Sequence, residues 1–273
     1  MSQTLERITH IRSLQCGEPG PFRQVIAGLD IAAWDLVSNR VGMPLCKVLS
    51  DAPARRVAAY ASGIHISKAA REIEHSREIG FLSFKVKVGF NGIAECGALV
   101  SCLQALRPAE TLCADANQAW SLPEAQEYLS GTDLQGLKWI EEPIAADAPL
   151  ADWKSLAQNG IALAAGENIS GVTDFKRHIA VGALRYIQPD VCKWGGVSGN
   201  LRVAQHALSQ GRVYCPHFLG GGVGLLASAH VLAAAGGEGA LEVDVNPNPL
   251  RELIAEAQTY WTCHVFVPLQ VLV

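Results

Sequence analysis

A chain of 273 residues, 49% apolar and 18% charged, has the composition of a folded globular protein and the length for one barrel-sized core. Its net charge of −4, with Lys and Arg scattered, lacks the basic footprint that nucleic acid or an anionic membrane requires. No stretch reaches the roughly 20 apolar residues that span a bilayer, the charged N-terminus is not a secretory signal, and none of the eight cysteines forms a Cys-x-x-Cys pair, so a cytoplasmic protein without a zinc site is expected.

Residues 1–54 read as a helical lead. Phe22–Ser38 is one amphipathic helix with Val25, Leu29, Ile31, Ala32, Trp34 and Leu36 as its apolar residues, and Pro44–Ser50 is a second, short one. From residue 55 to 245 the texture changes. Short β-branched runs, each with a polar residue near its C-terminal end, alternate with helical stretches, as in the βα units of a parallel sheet. The expected strands are Arg56–Ala61, Ser83–Val88, Leu112–Ala116, Leu137–Glu142, Ala162–Glu167, Tyr186–Val191, Val213–His217 and Leu241–Asp244. Helical periodicity covers Ser67–Ile79, Ile93–Leu106, Pro123–Ser130, Leu150–Gln158, Val172–Val181, Gly199–Ser209 and Gly224–Ala235. Ser67 and Ser121 are the expected N-caps, with Pro123 and Pro149 in first turns. This alternation predicts an α/β fold, a TIM-like (β/α) barrel. The rival is a doubly wound open sheet, but the Gly-x-Gly-x-x-Gly and phosphate-loop signatures are missing. Residues 246–273 form a C-terminal extension, helical over Leu250–Ala257, then apolar and aperiodic over Tyr260–Val273.

The polar residues at the strand ends are Lys85 and Lys87, Asp115, Glu141, Glu167, Asp190, His217 and Glu242. A barrel gathers such residues around one mouth, where barrel active sites lie. Asp115, Glu141 and Glu167 come from successive strands and repel one another when bare; a hard divalent cation resolves the conflict. Ligation by oxygen alone favours Mg²⁺ over Zn²⁺. Ion pairs at the barrel rim are the competing explanation. Lys85 and Lys87 share a strand face, and two adjacent ammonium groups lower one pKa toward the range of a general base. Asp190 lies on the strand beside His217 and can orient its imidazole. Lys87 and His217 then flank one substrate carbon from opposite sides.

The stretches that carry a wider likeness are Ala27-Gly28-Leu29-Asp30-Ile31-Ala32-Ala33-Trp34-Asp35, Phe84-Lys85-Val86-Lys87-Val88-Gly89 and Asp115-Ala116-Asn117-Gln118. They continue with Trp139-Ile140-Glu141-Glu142-Pro143, Gly166-Glu167-Asn168, Gln188-Pro189-Asp190-Val191-Cys192-Lys193-Trp194-Gly195-Gly196 and Cys215-Pro216-His217. In this order, from about Gly20 to Leu253, the sequence resembles the mandelate racemase branch of the enolase superfamily, within the mandelate racemase/muconate lactonizing enzyme family. The resemblance implies Mg²⁺ on Asp115, Glu141 and Glu167, chelating a substrate carboxylate and stabilising the enediolate left by α-proton removal. It implies Lys87 as base on one face with Lys85 tuning it, and His217 with Asp190 on the other. Glu242 is then a protonated donor to the carboxylate, and Asn117 a substrate contact. A sister branch, the muconate-lactonizing and dipeptide-epimerase enzymes, uses the position of Lys193 as its second base; here Lys193 is read as a supporting residue at the substrate.

The implied activity is dehydration of an acid sugar to a 2-keto-3-deoxy acid. The alternative is a racemase or epimerase of a 2-hydroxy acid. A third possibility is a barrel without most of the N-terminal capping domain, one that binds metal and turns over poorly. Residues 1–54 read as a remnant of that cap, and an apolar face left uncovered favours a homo-oligomer.

Overall fold

Strands that are apolar on both faces suit a parallel sheet, with helices outside and packed side chains inside. The computed structural model describes residues 20–91 and 95–251. Its strands are β1 (Ala58–His65), β2 (Ser83–Lys87), β3 (Thr111–Asp115), β4 (Leu137–Glu141), β5 (Leu163–Ala165), β6 (Leu184–Ile187), β7 (Val213–Tyr214) and β8 (Ala240–Asp244). All pair in parallel, in the order β7-β6-β5-β4-β3-β2-β1-β8. The two outer strands approach each other where the Ala240 N–H donates to Cys215 Sγ at 3.4 Å, so the sheet rolls into a nearly closed barrel. Tyr60, Cys113, Trp139, Ala164 and Ala240 plug its interior, with Tyr60 edge-on to Trp139 at 5.4 Å. The interior is a packed core, not a pore.

Helices α1 (Pro21–Val41) and α2 (Leu45–Leu49) precede the barrel. Each of β1 to β7 is followed by a helix: α3 (Ala69–Glu78), α4 (Cys96–Gln104), α5 (Leu122–Gly131), α6 (Leu150–Leu156), α7 (Val172–Val181), α8 (Gly196–Ser209) and α9 (Gly222–Ala235). Ser121 caps α5 through a capping box with Glu124, as expected. Ser67 does not cap α3. A 3₁₀ turn over Ile66–Lys68 intervenes, the Ser67 N–H donates to the His65 side chain, and the helix starts at Ala69. Strand β1 runs four residues past its expected end at Ala61, because a register shift between Ala61 and Ile64 interrupts the alternation that marks a strand. Residues 92–94, most of the Leu250–Ala257 stretch and all of Tyr260–Val273 lie outside the described residues. Among the described residues, no helix is long and apolar enough to cross a membrane.

The lead helix turns only part of its expected apolar set inward, Ile31 being buried and Trp34 packed against the core. Ile26, Ala27, Asp30 and Ile31 are buried, whereas Val25, Leu29 and Leu36 are 61%, 53% and 62% exposed. A buried carboxylate decides the orientation: Asp30 accepts the Ser198 N–H at 2.9 Å, and Trp34 Nε1 donates to Ser198 Oγ at 2.8 Å, tying α1 to α8. Gly196 opens α8 at φ +55°, and a Cβ there would lie 2.5 Å from the Asp30 carboxylate.

On α9, buried His230 accepts the Cys46 N–H at 3.2 Å and so fastens α2 to the barrel. Burial pushes its pKa down to about 4. An unfolded imidazole titrates near 6.5, so the stabilisation is complete above that pH and is lost as pH falls toward 4, by up to about 3 kcal/mol. Urea unfolding near pH 7 and near pH 4.5 measures this, and His230→Asn is expected to shrink the difference between the two midpoints. An unchanged difference removes His230 from the account.

Candidate active site

Strand register builds one side of the site. Lys87, Asp115 and Glu141 are partners across β2, β3 and β4, so they stand side by side where the strands end. Lys85 precedes Lys87 by two residues, points to the same face and is fully buried. Strands β5, β6 and β7 are shorter than expected, and Glu167, Asp190 and His217 lie in the loops just past them. Gly166 sets the β5 loop: a Cβ there would lie 2.3 Å from the Gln188 carbonyl carbon.

Every predicted acid has a cationic neighbour. Lys87 Nζ donates to Asp115 Oδ2 at 2.9 Å and to Asn117 Oδ1 at 2.6 Å. Lys85 Nζ lies 2.7 Å from both Glu141 Oε2 and Glu242 Oε1, and 3.7 Å from Asp115. Lys193 Nζ pairs with Glu167. His217 donates from Nδ1 to Asp190 Oδ2 at 2.8 Å, while its Nε2 lies 3.3 Å from Glu167 and 3.9 Å from Glu242. Asp190 is itself held by the Cys192 and Lys193 N–H groups. Asn117 Nδ2 reaches Glu167 Oε1 at 3.3 Å, so the predicted residues form one connected cluster.

Burial and neighbouring charges compete at four groups of the cluster. Burial favours a neutral Lys85, but Glu141 and Glu242 outweigh it and hold its pKa well above the ordinary value. Burial also favours a protonated Glu242, the state the resemblance implied. Lys85 and His217 outweigh it, and donors from Ser62 and the Phe218 N–H complete an environment for the anion. Glu141 is the acid whose pKa rises, chiefly through burial. Burial opposes the charge on His217, yet Glu242, Asp190 and Glu167 together push its pKa up to about 9.

Ser62, Gln188 and Glu142 belong to the cluster and escaped the sequence reading. Ser62 Oγ donates to Glu242, but it lies one residue past the expected end of β1. Gln188 Nε2 donates to Glu141 Oε2 at 2.8 Å; it precedes Asp190 by two residues, a spacing that signals a shared face. Glu142 sits at φ +40° and accepts from Asn168 at 2.7 Å, and burial followed by nearby Glu167 pushes its pKa up to about 7. A cavity of about 770 Å³ opens beside Asp190 and Lys193, walled by Phe218, Gly220 and, on α1, Gln24 and Gly28.

The donor chemistry fits a hard divalent cation. Glu141 Oε1 is buried without a hydrogen-bond partner, which suits a metal–oxygen contact. Glu141, His217 and Glu242 place one potential ligand atom each within 4.8 Å of one another. Asp115, Glu141 and Glu167, the expected ligands, are not gathered within that distance; each is drawn to its own lysine, Lys87, Lys85 and Lys193. Asp115, Glu141 and Glu167 offer oxygen alone.

The barrel with its ring of strand-end acids and bases defines a class. Residues 68–268 match the model of the enolase C-terminal domain-like family, and the chain belongs to that family. A mandelate racemase/muconate lactonizing enzyme from Bordetella bronchiseptica RB50 is similar in structure over 94% of this chain and 72% of its own, with a TM-score of 0.84 and 44% identity. An enolase from Bradyrhizobium, complexed with magnesium and mandelic acid, covers 88% of this chain and 66% of its own at TM-score 0.77 and 30% identity. The L-talarate/galactarate dehydratase of Salmonella typhimurium is 34% identical over 212 residues, 74% of this chain and 52% of the dehydratase. The chain thus spans about half to two thirds of the curated relatives it matches. The expected resemblance to the mandelate racemase branch is borne out.

Proposed function

We propose that residues 55–245 form a Mg²⁺-dependent catalytic unit that removes the proton α to a carboxylate, acting as an acid-sugar dehydratase. The observation that carries this is the placement of Lys87 and the Asp190–His217 pair around one cluster of carboxylates. Asp115, Glu141 and Glu167 would hold the cation. When bound, it supplies a positive charge that binds the substrate carboxylate and stabilises the negative charge developing there.

The chain's own groups do the rest. Lys87 takes the α proton on one face of the substrate, with Asn117 beside its Nζ at 2.6 Å to steady it. The electron pair left on the α carbon expels the β-hydroxyl, which departs as water with a proton from His217 Nε2. The resulting enol becomes the 2-keto-3-deoxy acid. Asp190 fixes the imidazole through Nδ1, and Lys85 keeps the carboxylates beneath the substrate from repelling one another.

A racemase or epimerase of a 2-hydroxy acid is the second reading, supported by bases on opposite faces and by the Bradyrhizobium relative with mandelic acid. The curated relatives named as dehydratases of talarate/galactarate, arabinonate and galactonate tip the balance toward dehydration. The test is incubation with Mg²⁺ and a panel of acid sugars and hydroxy acids in D₂O. Keto-acid release is the expected result. Deuterium at the α carbon without loss of water favours racemisation, and no exchange with any acid overturns both readings.

A further inference from the structure

A pair of rings stands beside the proposed base and has no part in the chemistry above. His65, the last residue of β1, is the register partner of Lys87, so its side chain leaves the sheet on the same face, about one strand spacing of 4.8 Å away. Phe90, in the loop after β2, lies against it with ring centroids 4.2 Å apart and planes tilted by 30°. Phe90 is 54% exposed, so its ring is accessible to a ligand. It is also held in place. The carboxylate of buried Glu95 accepts the N–H groups of Gly89 at 2.7 Å, Phe90 at 3.3 Å and Asn91 at 3.1 Å, fixing the loop that carries the ring.

The hydrogen bonds of His65 also set what it can offer. Nδ1 accepts from the Ser67 N–H at 3.2 Å and lies 2.8 Å from Ser67 Oγ. The proton of the neutral ring therefore sits on Nε2, which is a donor. The result is an open aromatic face with one N–H at its edge, one strand from Lys87. An apolar face beside a fixed donor matches a carbon chain that bears hydroxyl groups.

We propose that His65 and Phe90 form a specificity platform for the part of the substrate beyond its third carbon, selecting long polyhydroxy acids over short ones. This rests on the α-proton chemistry proposed above. The experiment compares initial rates of the Mg²⁺-loaded protein on six-carbon aldonates and aldarates with rates on glycerate, which keeps the α proton and β-hydroxyl but ends at the third carbon. In Phe90→Ala and His65→Ala, the ratio of kcat/KM for six-carbon acids to that for glycerate is expected to fall about tenfold, through KM rather than kcat. Phe90→Tyr, which keeps the ring, is expected to restore the ratio. A ratio unchanged in the alanine variants, or a wild type that prefers glycerate, overturns the platform and leaves the α-proton chemistry standing. A wild type inactive on every acid overturns the chemistry, and the platform with it.

Discussion

Replacing His217 with asparagine stops the loss of water while α-proton exchange through Lys87 continues. The new side-chain amide keeps a donor for Asp190 but has no proton to give a leaving hydroxyl, so keto-acid formation is expected to fall by about 10²–10⁴-fold. The wild-type acid is available because Glu242, Asp190 and Glu167 overcome the effect of burial and raise the His217 pKa to about 9. Its protonated form is present below that pH and disappears above it. The wild-type dehydration rate therefore falls as pH rises through about 9, a limb that the residual rate of His217→Asn lacks. A keto-acid assay across pH, paired with proton NMR of substrate in D₂O, measures both effects. Full activity in His217→Asn would falsify the assignment.

Lys85→Met carries the largest expected cost in stability. Lys85 is fully buried and lies 2.7 Å from both Glu141 and Glu242, so methionine fills the space and leaves the acids without their shared cation. Removing one partner of a buried ion pair costs about 3–5 kcal/mol. A divalent ion replaces part of the missing charge, so Mg²⁺ is expected to raise the urea midpoint of the variant more than that of the wild type. A variant that unfolds at the wild-type midpoint refutes the role of Lys85. An equal Mg²⁺ effect on both proteins argues against a cation site among these acids.

What the sequence made legible follows from the energetics of burial. Charges inside apolar strands are costly unless paired, so Lys85, Lys87, Asp115, Glu141, Glu167, Asp190, His217 and Glu242 stood out together, and the βα alternation placed them in a ring. Neutral partners leave no such mark. Ser62 and Gln188 complete the acid cluster through hydrogen bonds and resemble ordinary strand and loop residues until the register is known. The orientation of α1 was hidden for a related reason. Its apolar set joined Ile31 and Trp34, which pack inward, to Val25, Leu29 and Leu36, which are exposed because a contact between Asp30 and Ser198, 168 positions apart, fixes the helix's rotation. Charge states were the least readable. Two lysines on one strand suggested mutual repulsion, but three-dimensional neighbours supply Lys85 with acids from β4 and β8.

The bond from Lys85 to Glu242 also bears on how the chain reaches its fold. Lysine emerges from the ribosome with the second strand, but the acid arrives only with the eighth, more than 150 positions later. Until then Glu141 from β4 is the amine's one close counterion, and a half-built ring buries the pair without its second acid. Fragments ending before β8 should accordingly resist compaction, and maturation of the nascent polypeptide waits for its last strand to be translated.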